Sequence, residues 1–297
     1  MACTPMHERT SMDEWLRDVR AHCAQKAPDL ISLLEIYAAE AVFGRNYILA
    51  DTALLKPGAR IIEVGAGALL LSCQLAREGF EVTALEPTGS GFSHFEQLHE
   101  LVRVRAAALG CLPRVVDLPA EDFAEKNGYD FAFSVNVMEH VNDVPSVMAN
   151  IAACLVVGAT YRFTCPNYLF PYEPHFNIPT IFSKKLTGKV FYRRIFTSPN
   201  MPDPAGTWQS LNWIGVLQVR RVAASLKDTS ITFNRSLLVS TLERVAVDQD
   251  FARRRSPAMR SVVLWFVRLH LHKLFRFVPT VMQPMMDCRL QKLQTLG

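Results

Sequence analysis

The segment Glu63-Val64-Gly65-Ala66-Gly67 constrains this chain more than any other. It follows Arg60-Ile61-Ile62, which reads as a buried strand, and precedes Leu69-Leu70-Leu71-Ser72-Cys73-Gln74-Leu75-Ala76, which reads as a helix. A strand, a tight glycine turn and a helix open a doubly wound α/β fold, because glycine lets the backbone turn sharply and approach a ligand closely. A mostly parallel sheet with helices on both faces is the expected architecture.

The charges around the turn narrow the ligand. A dinucleotide site wants Gly-x-Gly-x-x-Gly beside its pyrophosphate, and here the third glycine position holds Leu70. Glu63 would repel a pyrophosphate but suits a ligand with an ammonium or sulfonium charge. The next strand, Glu81-Val82-Thr83-Ala84-Leu85-Glu86-Pro87, ends in a second acid about twenty residues beyond the glycines, where a ribose diol is bound in such folds. Together these residues point to S-adenosyl-L-methionine; a nicotinamide-dependent oxidoreductase and a non-catalytic cofactor-binding module are the alternatives.

With these residues in place the chain resembles the class I S-adenosylmethionine-dependent methyltransferases. Three further segments carry the resemblance: Ala120-Glu121-Asp122-Phe123, similar to the loop that meets the adenine; Tyr129 through Val141, similar to the fourth strand and its turn; and Thr160 through Asn167, similar to the fifth strand. It implies cofactor contacts at Glu63, Gly65, Ala66, Gly67, Glu86, Pro87, Ala120, Glu121 and Asn136. Leu69 departs from it, standing where many relatives carry another glycine. The resemblance also implies N-terminal helices packed over the cofactor mouth, against the plainer reading of helices that cover a sheet edge.

With 297 residues, 49% of them apolar and 20% charged, the chain suits one elaborated α/β domain. We read a helical cap over 1–55, a catalytic domain over 56–250 with a lid insertion at 166–206, and a basic, amphipathic, helical extension over 251–297. Strands are expected at 60–65, 81–87, 113–117, 129–135, 160–165 and 230–234, with no convincing seventh. The lid, with seven prolines and many aromatics, predicts little regular structure. Trp208 to Leu226 reads as one helix.

A net charge of only +4, and no basic patch interleaved with aromatics around the presumed active-site mouth, argue against a nucleic-acid partner. Seven cysteines without Cys-x-x-Cys pairs suit buried thiols in a reducing compartment. The charged start of the chain is unlike a secretory leader, and no run of eighteen uncharged apolar residues occurs. The expected place is the cytoplasm, or the inner face of a membrane in peripheral contact. Residues 260–278 place Arg268, His270, His272, Lys273 and Arg276 on one arc of a helical wheel, a pattern that serves a core-facing helix, a homodimer surface or a membrane-interface helix. Arg253-Arg254-Arg255 lies just upstream. His270 and His272 point apart on a helix, and no metal site is expected.

Methyl transfer to a hydroxyl requires removal of its proton. His140, after the fourth strand, and His175, stiffened by flanking proline, are the candidate bases; each also reads as a loop histidine that satisfies buried carbonyls. Glu173 would orient a histidine, and Tyr168 and Tyr172 would line an acceptor site. The expected acceptor carries a hydroxyl or an amine on a small or amphiphilic molecule, with a lipid-linked or glycan-linked compound among the candidates.

Overall fold

The computed structural model describes residues 11–87, 96–198, 203–247, 252 and 257–294. Residues 1–10, Arg253-Arg254-Arg255 and lid residues 199–202 lie outside them. Seven strands form one sheet in the order β3-β2-β1-β4-β5-β9-β8, and a second sheet is the hairpin β6-β7. The expected strands are present as β1 (Arg60–Val64), β2 (Glu81–Leu85), β3 (Arg114–Val116), β4 (Tyr129–Val135), β5 (Leu155–Pro166) and β8 (Thr229–Asn234). β1 pairs in parallel with β2 and β4, and β2 with β3. The mostly parallel, helix-flanked sheet is the expected fold.

Two units make up the chain, residues 1–135 with 149–161 and residues 136–148 with 162–297. In the first, α1 (Met12–Lys26) starts at Ser11, whose hydroxyl accepts from the Glu14 N–H. α2 (Ile31–Thr52), α3 (Leu70–Arg77) and α4 (Glu96–Ala108) follow. Ile61, Ile62 and Ala132 are fully buried, as a strand covered on both faces requires. Buried Arg45 on α2 forms a two-pronged ion pair with Glu78, both contacts 2.7 Å long.

The second unit differs from the sequence reading in four places. The seventh strand is β9 (Met285–Lys292), antiparallel to β8 from Thr229↔Lys292 to Asn234↔Asp287. Met286, Cys288 and Leu290 alternate into the core, a period of two hidden by the helical reading of the chain's end. Arg162 on β5 fixes the strand through a buried pair with Asp287, at 3.1 and 2.7 Å. The expected continuous helix over 260–278 is instead Pro257–Arg268, ended by His270 at φ 58, and then a 3-10 segment Leu271–Phe277. The single wheel therefore breaks. Buried His272 meets Glu243 at 2.9 Å.

The lid region holds more structure than its prolines predict. It contains the hairpin β6 (Tyr172–Glu173) and β7 (Ile178–Pro179), and the short helices Lys184–Val190, Tyr192–Phe196 and Pro204–Ser210. The helix expected from Trp208 to Leu226 is interrupted, resuming at Val216–Ser225. Among the described residues no helix is long and apolar enough to cross a membrane.

Candidate functional site

The glycine turn of the first unit is held from several directions. Gly65 (φ 74) and Gly67 (φ 51) take the left-handed conformation that glycine adopts without steric cost. The Gly65 N–H donates to the Leu85 carbonyl at 2.8 Å, and the Gly67 N–H donates to the Glu86 Oε2 at 2.8 Å. Sequence reasoning missed His99, whose Nδ1 lies 2.8 Å from the Gly67 carbonyl. It also missed Trp15, whose indole N–H donates to the Leu70 carbonyl at 2.9 Å, and Tyr37, whose ring stands 3.7 Å from where a Gly67 Cβ would be. The N-terminal helices thus pack on the turn. Leu69 is also left-handed, at φ 62, and fully buried, so this leucine accepts the backbone strain a glycine would avoid.

Both acids of the turn are buried. Glu63 accepts from the Ser72 hydroxyl, and burial raises its carboxyl to about 8 against the opposing effect of that bond. Burial likewise raises Glu86 to about 7. The loop expected at the adenine is the 3-10 turn Ala120–Asp122, whose Ala120 and Glu121 carbonyls both accept from the Asn150 side-chain amide. Pro87 is half-buried beside Glu86.

The second unit brings together His140 and His175, with ring centroids 5.5 Å apart. Asn136 also lies there, exposed, at φ 56, its N–H donating to the Thr164 carbonyl at 2.9 Å. The turn Met138–His140 is clamped by Asn212, whose side-chain amide donates to the carbonyls of Met138 and Val141, both at 2.8 Å. The Ser210 hydroxyl donates to the Thr207 carbonyl at 2.9 Å and lies 2.7 Å from the His140 Nδ1. The contact anchors the His140 ring through Nδ1, and where Ser210 keeps its proton on the Thr207 carbonyl, Nδ1 is the donor. Burial pushes the His140 imidazolium down to about 3, helped by His175 and by Lys184.

Glu173, fully buried, accepts from the Tyr168 hydroxyl at 3.3 Å, from the His175 N–H at 3.1 Å and from the Phe176 N–H at 2.7 Å. Its Oε1 lies 2.5 Å from the His175 Nδ1. The carboxylate thereby fixes the His175 ring and leaves its lone pair on Nε2. Tyr168 stacks on Trp213 at 5.2 Å and is buried, while Tyr172 turns its hydroxyl to the exposed Asn177 at 2.7 Å. Tyr168 is thus a support for Glu173. Glu139, the third member of the group, was assigned no role from sequence. It is fully buried, and it, His140 and His175 each offer a donor atom within 4.8 Å of the others.

Residues 12–170 match the family model described as a methyltransferase domain, more than half of the chain. The chain belongs to this methyltransferase family. Its enzyme class is S-adenosyl-L-methionine-dependent methyl transfer, which sets aside the nicotinamide alternative. The methyltransferase is 48% identical over 281 residues to an uncharacterized protein of Mycobacterium tuberculosis, covering 95% of each chain. It is 32% identical over 152 residues to a ubiquinone biosynthesis O-methyltransferase of Xanthomonas campestris, covering 50% of this chain and 56% of that protein. Among solved structures it is similar to an S-adenosylmethionine-dependent methyltransferase of Mesorhizobium loti, with a TM-score of 0.51, 13% identity and coverage of 82% and 96%. It is also similar to phosphoethanolamine N-methyltransferase 2 of Haemonchus contortus, with a TM-score of 0.50, 15% identity and coverage of 93% of this chain and 60% of that one.

The cradle fits the family's cofactor. Burial keeps Glu63 and Glu86 readily protonated, a ligand bearing ammonium and sulfonium charges would favour their ionised forms, and a ribose hydroxyl can donate to a Glu86 carboxylate oxygen.

Proposed function

We propose that this methyltransferase methylates a hydroxyl group of a small or amphiphilic acceptor. S-adenosyl-L-methionine, when bound, supplies an activated methyl group. Glu86 would hold its ribose, the Gly65–Gly67 backbone its amino-acid portion with Glu63 beneath, and the Ala120–Glu121 turn its adenine. Attack by a hydroxyl oxygen releases one proton. The observation that carries the reading is the pair of fixed imidazoles, His140 and His175, each anchored through Nδ1. An imidazole held in place beside the acceptor can accept the hydroxyl proton, and of the two His175 is the base, because burial leaves His140 with little affinity for a proton. A hydroxyl is favoured over an amine because one relative is named an O-methyltransferase.

An amphiphilic acceptor is supported by the surface of the C-terminal segment. Val262, Trp265, Leu269, Leu274 and Phe277 are exposed there, close in sequence to Arg260, Arg268, Lys273 and Arg276. An apolar, aromatic and cationic surface suits a lipid headgroup boundary. Because β9 follows this segment, the test is point substitution rather than deletion: Trp265→Asp with Phe277→Asp should abolish flotation with anionic vesicles if this surface makes contact.

For the chemistry, the measurement is methyl transfer to phenolic, lipid-linked and glycan-linked hydroxyl compounds. With the acceptor found, His175→Ala should lower kcat by about a hundredfold or more while S-adenosylhomocysteine affinity stays unchanged. Wild-type kcat in that variant would remove His175 from the reaction.

A further inference from the structure

Glu139, His140 and His175 form a group that sequence spacing conceals, and its chemistry goes beyond two bases. Two imidazole nitrogens and one carboxylate oxygen are a donor set for borderline divalent cations such as Zn²⁺, Mn²⁺ and Co²⁺; Mg²⁺ and Ca²⁺ prefer oxygen donors alone. The surroundings are those of a built site. A ligating histidine usually gives its other ring N–H to a carboxylate or another oxygen, which fixes ring and tautomer. Here His175 meets Glu173 through Nδ1 and His140 meets Ser210 through Nδ1, and with these anchors kept Nε2 would be the nitrogen each ring turns to a cation. Asn212 holds the turn that carries Glu139 and His140, its own N–H donating to the Glu139 carbonyl at 2.8 Å.

We propose that Glu139, His140 and His175 bind one borderline first-row divalent cation, with its remaining coordination positions open to the acceptor hydroxyl. Bonds of about 2.1 Å at tetrahedral angles place two ligands about 3.4 Å apart, so a spacing of up to 4.8 Å closes by a movement of about 1.4 Å shared between the side chains. A cation there acidifies a coordinated hydroxyl, whose proton leaves to water. The proposal rests on the reading of this group as acceptor-binding and states how it promotes proton loss. The two histidines then act as ligands, and Glu173 and Ser210 as residues that position them.

The test uses the full-length protein stripped with chelator. Titration with Co²⁺, followed by visible absorption, should show one equivalent bound, and Zn²⁺ should displace it. His140→Ala, His175→Ala and Glu139→Gln should each weaken Co²⁺ affinity by about a hundredfold or more, and Glu173→Gln by about 10- to 100-fold. Thermal melting and S-adenosylhomocysteine binding report separately that each variant is folded. Absence of a stoichiometric Co²⁺ site in wild-type protein, or its retention in Glu139→Gln and both histidine variants, would overturn the proposal. Because S-adenosylhomocysteine binding needs no metal, its presence without a Co²⁺ site would defeat this inference alone and leave the methyltransferase reading intact.

Discussion

The glycine turn of the first unit and the histidine group of the second are built on different principles. The turn is mostly backbone: two left-handed glycines, one N–H given to Glu86 and one carbonyl held by His99. The histidine group is mostly side chain, its donors brought from a turn after β4 and a loop within the β6-β7 hairpin and held by Glu173, Ser210 and Asn212. Backbone sites depend on a few residues adjacent in sequence and survive many neighbouring changes. Side-chain sites depend on buried polar partners, each costly to lose.

Glu173→Ala should produce the largest effect. Four contacts lose their acceptor, and unfolding by denaturant should show a loss of about 3–5 kcal/mol, with the first unit's ligand binding least affected. A loss below about 1 kcal/mol would mean that the group is not held as described.

The next effect lies in the turn and depends on pH. Glu63, raised to about 8 in the folded chain, keeps a proton that the unfolded chain releases above its ordinary value near 4.5. Its contribution therefore favours folding least at high pH: stability falls as pH rises from about 5 to 8 and is level below 4.5. Glu63→Gln should remove this slope, gaining up to roughly 5 kcal/mol at pH 9 relative to pH 4. Parallel stability curves for the two proteins would contradict the burial argument.

Gly67→Ala should have the smallest effect. Among the described residues the added Cβ meets the Tyr37 ring alone, at ordinary contact distance, so the cost is the left-handed backbone, about 1 kcal/mol. A loss of several kcal/mol in thermal melting would show that the turn is less tolerant than its geometry implies.

The same difference explains what could be read from sequence. Glu63, Gly65, Gly67 and Glu86 lie at strand ends whose apolar runs are plain, so periodicity and glycine placed the turn directly. His140 and His175 stood out one at a time, but nothing in their spacing announced that they meet, or that Glu139 joins them. The meeting depends on a hairpin obscured by prolines. Tyr168 reads from sequence as part of an acceptor wall; the fold adds a role that aromatic content does not announce, its hydroxyl donating to Glu173. β9 was legible in the alternation of Met286, Cys288 and Leu290. The basic arc of residues 260–278 masked it, and that arc dissolves where His270 turns left-handed.

The central claim is that the first unit binds the methyl donor's adenosyl portion through Glu86. Calorimetric titration of S-adenosylhomocysteine into wild-type protein and Glu86→Ala tests it most directly. The account predicts micromolar binding by the wild type and at least about tenfold weaker binding by the variant, a difference of about 1.4 kcal/mol or more, with unchanged melting. Equal affinities would contradict it.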